Sequence, residues 1–237
     1  MIHLKVIGFF SGSGETGTTM TALSVAEELA EQGNKTIFIY GSGKKGNTFI
    51  KDKQLKGLDY IRADLVCGNI TAGDIKQIMG KQGDLRILAG TESSYDANLF
   101  PLETFEVMLP ALKNFDFVVI DGGNHFESAM TISALNVSTD LFFIVTQQIK
   151  AIERFKDTQE RVLKPLEKEI SIIINRYKKE IALPSITEIE RIVGREVSFV
   201  VSDIKSSWQY EVQGCTLRKQ RKYRKEVRKI ADGIVKG

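Results

Sequence analysis

Residues 5–33 read KVIGFF, SGSGETGTT and MTALSVAEELAEQG: an apolar run, a glycine-rich turn and a helix-periodic segment in immediate succession. Val6 to Phe10 is short, aromatic and β-branched, without polar alternation, which is how a strand buried on both faces reads. In the third segment Ala22, Val25, Ala26, Leu29 and Ala30 fall on one helical face, and Gly33 follows as a stop signal. Between them stand Gly12, four residues, Gly17, Thr18 and Thr19. That is the spacing of a phosphate-binding loop, G-x-x-x-x-G-K-[ST], with Thr18 in the lysine's position. Glycines let backbone N–H groups turn inward, and the N-terminus of the following helix favours an anion. The same residues also fit a plain strand-to-helix turn with no ligand.

The pattern repeats along the chain. The apolar runs LKVIGFF, TIFIY, LRILAG, FDFVVID, LFFIVT, ISIIIN and VSFVV are separated by helix-period segments: ITAGDIKQIMG, LETFEVMLPALKNF, FESAMTISALNV, IKAIERFKDTQERVLK and SITEIERIVG. Alternating strand and helix predict an α/β fold, a mostly parallel twisted sheet with helices on both faces. No repeat, low-complexity tract or Pro/Gly-rich linker interrupts residues 1–237, so one domain is expected, closing in a basic helix over about 216–236. In such sheets ligands bind beyond the carboxyl ends of the strands. SGSGETGTT, DGGNHF and NRYKKE all fall at that edge.

Composition excludes several classes. The 237 residues are 42% hydrophobic and 27% charged, ordinary for a globular protein, and a net charge of +3 by itself implies no nucleic-acid partner. Cys67 and Cys215 match no metal spacing, and reduced thiols of a cytoplasmic protein are the default expectation. With only His3 and His125, a histidine-rich metal site is not expected. MIHLKVIGFF enters a strand without a charged leader, and no apolar run approaches the roughly 20 residues needed to span a bilayer. The expected location is the cytoplasm, at most peripheral to the inner face of the membrane.

With these residues in view, the chain resembles the ParA/MinD group of deviant Walker A ATPases, P-loop NTPases whose loop typically reads SGKGGVGKTT. Ser11, Gly12, Gly14, Gly17 and Thr19 agree; the family's signature lysine falls on Ser13, its P-loop lysine on Thr18, and the second glycine of its pair on Glu15. TIFIYGSGKKGN resembles the switch I segment, with Tyr40 and Ser42 in place of its two aspartates. FDFVVIDGG resembles the switch II strand and keeps Asp121. INRYKKE is similar to the segment whose asparagine meets adenine, which maps to Asn175. LRILAGTESSYDANLFPLETFEVMLPALKNFDFVVID and SITEIERIVGREVSFVVSDIKSSWQYEVQGCTL follow the branch that includes TadZ and CpaE, localisation factors of pilus assembly; Ser202 replaces the usual proline, while Asp203 and Gly214 remain.

The resemblance implies a nucleotide site at Gly12, Ser13, Gly14, Gly17, Thr18, Thr19, Asp121 and Asn175, with ATP held weakly and Mg²⁺ on Thr19 and Asp121. No catalytic residue is assigned. It implies a degenerate, non-hydrolysing localisation or assembly factor for a pilus or secretion system, with machine proteins as partners and a homodimer. Two alternatives stay open: an ATPase of the same family that recruits Lys44 or Lys45, which otherwise read as a solvated turn, and a DNA-partitioning protein. In LRKQRKYRKEVRKIADGIVKG, Tyr223, Val227, Ile230, Ala231 and Ile234 share one helical side, with cations from Arg218 to Lys229 around them. This reads as a final helix packed on the domain, or as a surface for anionic lipid or an acidic partner, with nucleic acid less favoured. The apolar side lacks Trp and Phe, which argues against deep membrane insertion.

Overall fold

The computed structural model describes residues 4–43, 48–52, 54–180 and 182–237. Eight strands form one sheet: β1 (Lys5–Ser11), β2 (Thr36–Tyr40), β3 (Met79–Gln82), β4 (Leu85–Leu88), β5 (Phe117–Gly123), β6 (Asp140–Val145), β7 (Ile170–Tyr177) and β8 (Val197–Ser202). Their order is β3-β4-β2-β5-β1-β6-β7-β8. All neighbours run parallel except β3, which pairs antiparallel with β4 at the edge.

The seven apolar runs are seven of these strands; β3 is the addition. The helix-period segment ITAGDIKQIMG extends through Met79 and Gly80, but α3 (Ala72–Ile78) ends at Ile78 and the next four residues pair with Leu85–Leu88. Helix α1 (Thr18–Glu31) follows β1, and α2 (Arg62–Val66) and α3 precede the β3–β4 hairpin. α4 (Thr104–Met108) is shorter than its periodic segment, because Pro110 shifts the chain into a tighter turn over Leu109–Leu112. α5 (Ala129–Val137) ends where Lys168 Nζ donates to the carbonyls of Leu135, Asn136 and Ser138. α6 (Ile149–Thr158) loosens into a π turn over Gln159–Leu163. α7 (Ile186–Val193) carries a complete capping box, Ser185 with Glu188, and stops at Gly194 in the left-handed region.

α8 (Ser207–Val212) and α9 (Arg221–Lys236) close the chain. The final helix is shorter than 216–236. Gln220, at φ −81° and ψ 113°, is extended, and residues 217–219 form a separate 3₁₀ turn.

Strand alternation divides the core between the two faces of the sheet. Val6 and Phe10 of β1 join Ile37, Ile39, Val118 and Ile120 in the layer covered by α2 to α7. Ile7 and Phe9 join Phe38, Val119 and Phe142 in the layer covered by α1 and α9. Fully burying each such side chain contributes about 1.5–3 kcal/mol. Among the described residues no helix is long and apolar enough to cross a membrane.

Candidate functional site

Because β1, β2, β5, β7 and β8 run parallel, their carboxyl ends meet at one edge, and a cavity of about 480 Å³ opens there. The glycine-rich loop forms its floor. Gly17 (φ 83°) caps α1 without a side-chain acceptor, so the first helical N–H groups carry no side-chain cap. A Cβ on Gly17 would collide with Asn175 Nδ2, so glycine is required here by both conformation and space. Ser11 Oγ donates to Ser13 O at 2.9 Å, and the hydroxyls of Thr16 and Thr18 bond each other at the same distance.

The loop residues divide into two sets. Ser13, Gly14, Glu15, Thr16, Gly17, Thr18 and Thr19 line the cavity. Gly12 does not; it packs against α6, where a Cβ would lie 2.9 Å from the Arg154 carbonyl carbon and the Phe155 nitrogen. Thr18, in the lysine's place, is 7% exposed. Glu15 adopts φ 62° and faces solvent, an unusual conformation for a residue with a side chain.

Asp121, at the end of β5, is 1% exposed, and Thr19 Oγ1 donates to its Oδ2 at 2.5 Å. Tyr40 is Asp121's register partner on β2. Burial first, then the charges of Asp121 and Glu27, push the Tyr40 hydroxyl far above its ordinary pKa. It therefore stays neutral, and among the described residues it has no hydrogen-bond partner. Ser42, also buried, packs under Gly123.

Asn175 is 5% exposed and donates from Nδ2 to the Thr16 carbonyl at 2.7 Å. Its amide nitrogen thus braces the loop. Asp203 lines the cavity and lies 3.6 Å from Lys178 Nζ. His125 is exposed and does not line the cavity. Lys44, Lys45 and His3 lie outside the described residues.

Several lining groups were not singled out as site residues by sequence reasoning: Arg176, Glu211 and Tyr223. Arg176 follows Asn175 at a strand end, and that position is the signal that could have found it. Tyr223 arrives from α9, 203 residues beyond Met20, whose carbonyl its hydroxyl approaches at 3.5 Å; nothing local predicts this. Burial pushes its hydroxyl up to about 12.

α9 is held to α1 by charge as well as by packing. Glu28 is 0% exposed inside α1. Arg218 Nη2 lies 2.7 Å from its Oε2 and Arg224 Nε 3.2 Å from the same oxygen. Arg228 Nε lies 2.7 Å from Oε1 but off the hydrogen-bond axis. Glu31 takes Arg218 and Arg224 at 2.7 and 2.6 Å. Three of the terminal cations are therefore engaged internally, while Lys219, Arg221, Lys222, Lys225 and Lys229 face solvent.

No protein-family model matches the chain, and no curated protein matches its sequence. Solved structures match its fold. A ParA family ATPase from Chlorobium tepidum superposes with a TM-score of 0.83 at 18% identity, over 96% of this chain and 98% of that one. MinD in a MinC:MinD cell division complex from Aquifex aeolicus gives 0.80 at 16% identity, over 98% and 96%. The septum site-determining protein MinD of Pyrococcus horikoshii, complexed with Mg-ADP, gives 0.79 at 19% identity, over 98% and 96%. The eight-stranded, mostly parallel sheet is that of the ParA/MinD P-loop NTPases.

Proposed function

We propose that this chain is a binding and positioning protein built on the ParA/MinD fold, with a degenerate phosphate-binding loop that does not support hydrolysis. The observation that carries this reading is the charge of the loop. Ser13 and Thr18 stand where the family places lysines, Glu15 adds a carboxylate, and Arg176 is the one cation lining the cavity among the described residues.

A Mg-nucleotide, which the fold implies, meets a mixed reception. Thr19 and Asp121 are an oxygen pair suited to Mg²⁺. The loop beside them is a poor fit to a triphosphate: Ser13 and Thr18 supply no cation and Glu15 adds a carboxylate. Charge-assisted hydrogen bonds to phosphate contribute about 1.5–3 kcal/mol each. Losing two lysines costs roughly 3–6 kcal/mol, about a hundredfold to ten-thousandfold in affinity. Phosphoryl transfer depends on positioning and on neutralising the developing charge, so turnover suffers further.

The segment likeness to TadZ and CpaE supports a role as a localisation factor for a pilus or secretion machine, with proteins of that machine as partners. Any dimer of this chain is expected to be independent of nucleotide, because Ser13 cannot supply a cross-dimer cation. Light scattering with and without ATP checks that point.

Calorimetry with ATP and Mg²⁺, together with a phosphate-release assay, tests the main reading. Binding weaker than millimolar and no release above background are expected. Turnover at the level of an intact MinD overturns it.

A further inference from the structure

The carboxyl end of β7 is bulged. Its pairing with β8 steps from Ile174–Val200 to Tyr177–Ser202, three residues against two. Bulges of this kind re-aim side chains and recur beside functional sites. Here the bulge sends Asn175 inward onto the Thr16 carbonyl and sets Arg176 at φ 54°, a left-handed conformation disfavoured for any residue with a Cβ. Arg176 is exposed, lines the cavity, and places Nε 3.9 Å from where a Cβ on Gly17 would stand. Among the described residues its guanidinium makes no hydrogen bond and no ion pair. A backbone distortion that holds a lone guanidinium over the loop is the kind of outlier from which a functional role is inferred.

The other charges of the lining are all acidic. Asp121 holds the Thr19 hydroxyl and Asp203 faces Lys178, which leaves Glu15 and Glu211 without a cation at ion-pair distance among the described residues. One wall is apolar, made by Met20, Phe49, Ile204, Leu217 and Tyr223. The cavity's volume of about 480 Å³ suits a nucleoside-sized body lying on that wall.

We propose that Arg176 is the anion-reading group of this cavity, and that the cavity takes a nucleoside-sized ligand bearing a single phosphate in place of a polyphosphate. The planar fork of one guanidinium satisfies one phosphate bidentately. Further phosphates running along the loop approach Glu15, two residues before Gly17, with no second cation among the described residues to offset the repulsion. The inference rests on the reading that the loop does not hold a triphosphate.

The test is calorimetry of AMP, ADP and ATP, each with and without Mg²⁺, on the full chain and on Arg176→Gly and Arg176→Lys. Glycine keeps the left-handed backbone and removes the cation; lysine keeps the charge and removes the fork. AMP is expected to bind at least tenfold more tightly than ATP, Arg176→Gly to weaken AMP at least tenfold, and Arg176→Lys to recover part of the loss. ATP binding more tightly than AMP overturns the proposal. So does wild-type affinity for AMP in Arg176→Gly, or no AMP binding at millimolar concentration. Phosphate release from ATP by the wild type defeats the earlier reading of the loop; silence toward AMP without such release defeats only this one.

Discussion

Arg218, from the turn that precedes α9, reaches Glu28 in the last turn of α1 at 2.7 Å, and Glu28 is completely buried at that contact. The pairing ties the last helix to the helix that begins at the glycine-rich loop. It also explains why the terminal basic segment is not wholly a solvent-facing surface. Burial works against the charge of Arg218, and the hydrogen bonds to Glu31 and Glu28 outweigh it, so the guanidinium pKa is raised.

Removing one partner of a buried ion pair costs about 3–5 kcal/mol, because the remaining charge is left uncompensated. For Glu28→Ala the lower end, about 3 kcal/mol, is expected, since Glu27 and Glu31 still contact Arg218 at 3.5 and 2.7 Å. Urea unfolding measures it. A loss below about 1 kcal/mol would place the cluster with ordinary surface pairs.

Acid should loosen the same junction. The hydrogen bond from Arg218 holds the Glu31 carboxyl below its usual range, helped by the charges of Arg218, Arg224 and Arg228 against an opposing contribution from burial. A carboxylate with a depressed folded-state pKa stabilises the fold above its unfolded value, about 4.3, and loses that contribution as pH falls through the folded value. The melting temperature is therefore expected to hold from neutrality toward pH 5 and to decline below about 4.3. Glu31→Gln lowers the neutral plateau and flattens the acid limb. An acid limb of unchanged slope in that variant counts against the assignment.

At the other end of α1, the Thr19 hydroxyl is a donor to a carboxylate that is almost fully buried. Thr19→Val keeps the shape and removes the donor. Leaving a buried acceptor short of a partner costs about 1–3 kcal/mol, more when it is charged. A destabilisation of about 2 kcal/mol is expected in denaturant titration, and a neutral result would mean that the contact is replaced by water.

The strands were legible wherever burial on both faces wrote a continuous apolar run, and seven did. β3 was not, because Gly80, Lys81 and Gln82 carry no strand pattern of their own and pair only through the neighbouring Leu85–Leu88. Helix boundaries failed at Pro110 and at Gln220, where one residue's backbone preference overrides a good hydrophobic period. At the site, the loop, Asp121 and Asn175 could be placed from strand ends alone. Arg176 and Tyr223 could not be given their roles, one depending on a bulge and the other on α9 folding back across the sheet. The alternative cations Lys44 and Lys45 lie outside the described residues.

Glu15 gives the sharpest test of charge in the loop. At φ 62° a residue with a Cβ costs roughly 1–2 kcal/mol in the left-handed region, while glycine loses about 0.5–1 kcal/mol of chain entropy. Glu15→Gly is thus expected to stabilise the fold by at most about 1.5 kcal/mol, and to improve ATP affinity by removing a like charge. Adding Thr18→Lys restores one charge-assisted bond, about 1.5–3 kcal/mol, or roughly tenfold to a hundredfold in affinity. The lysine must leave the buried position of Thr18 and break its bond to Thr16, so the double variant is expected to gain affinity while losing part of the stability that glycine adds. Calorimetry with ATP beside urea unfolding separates the two effects. Unchanged ATP affinity in the double variant would mean that the missing charge is not what limits polyphosphate binding at this loop.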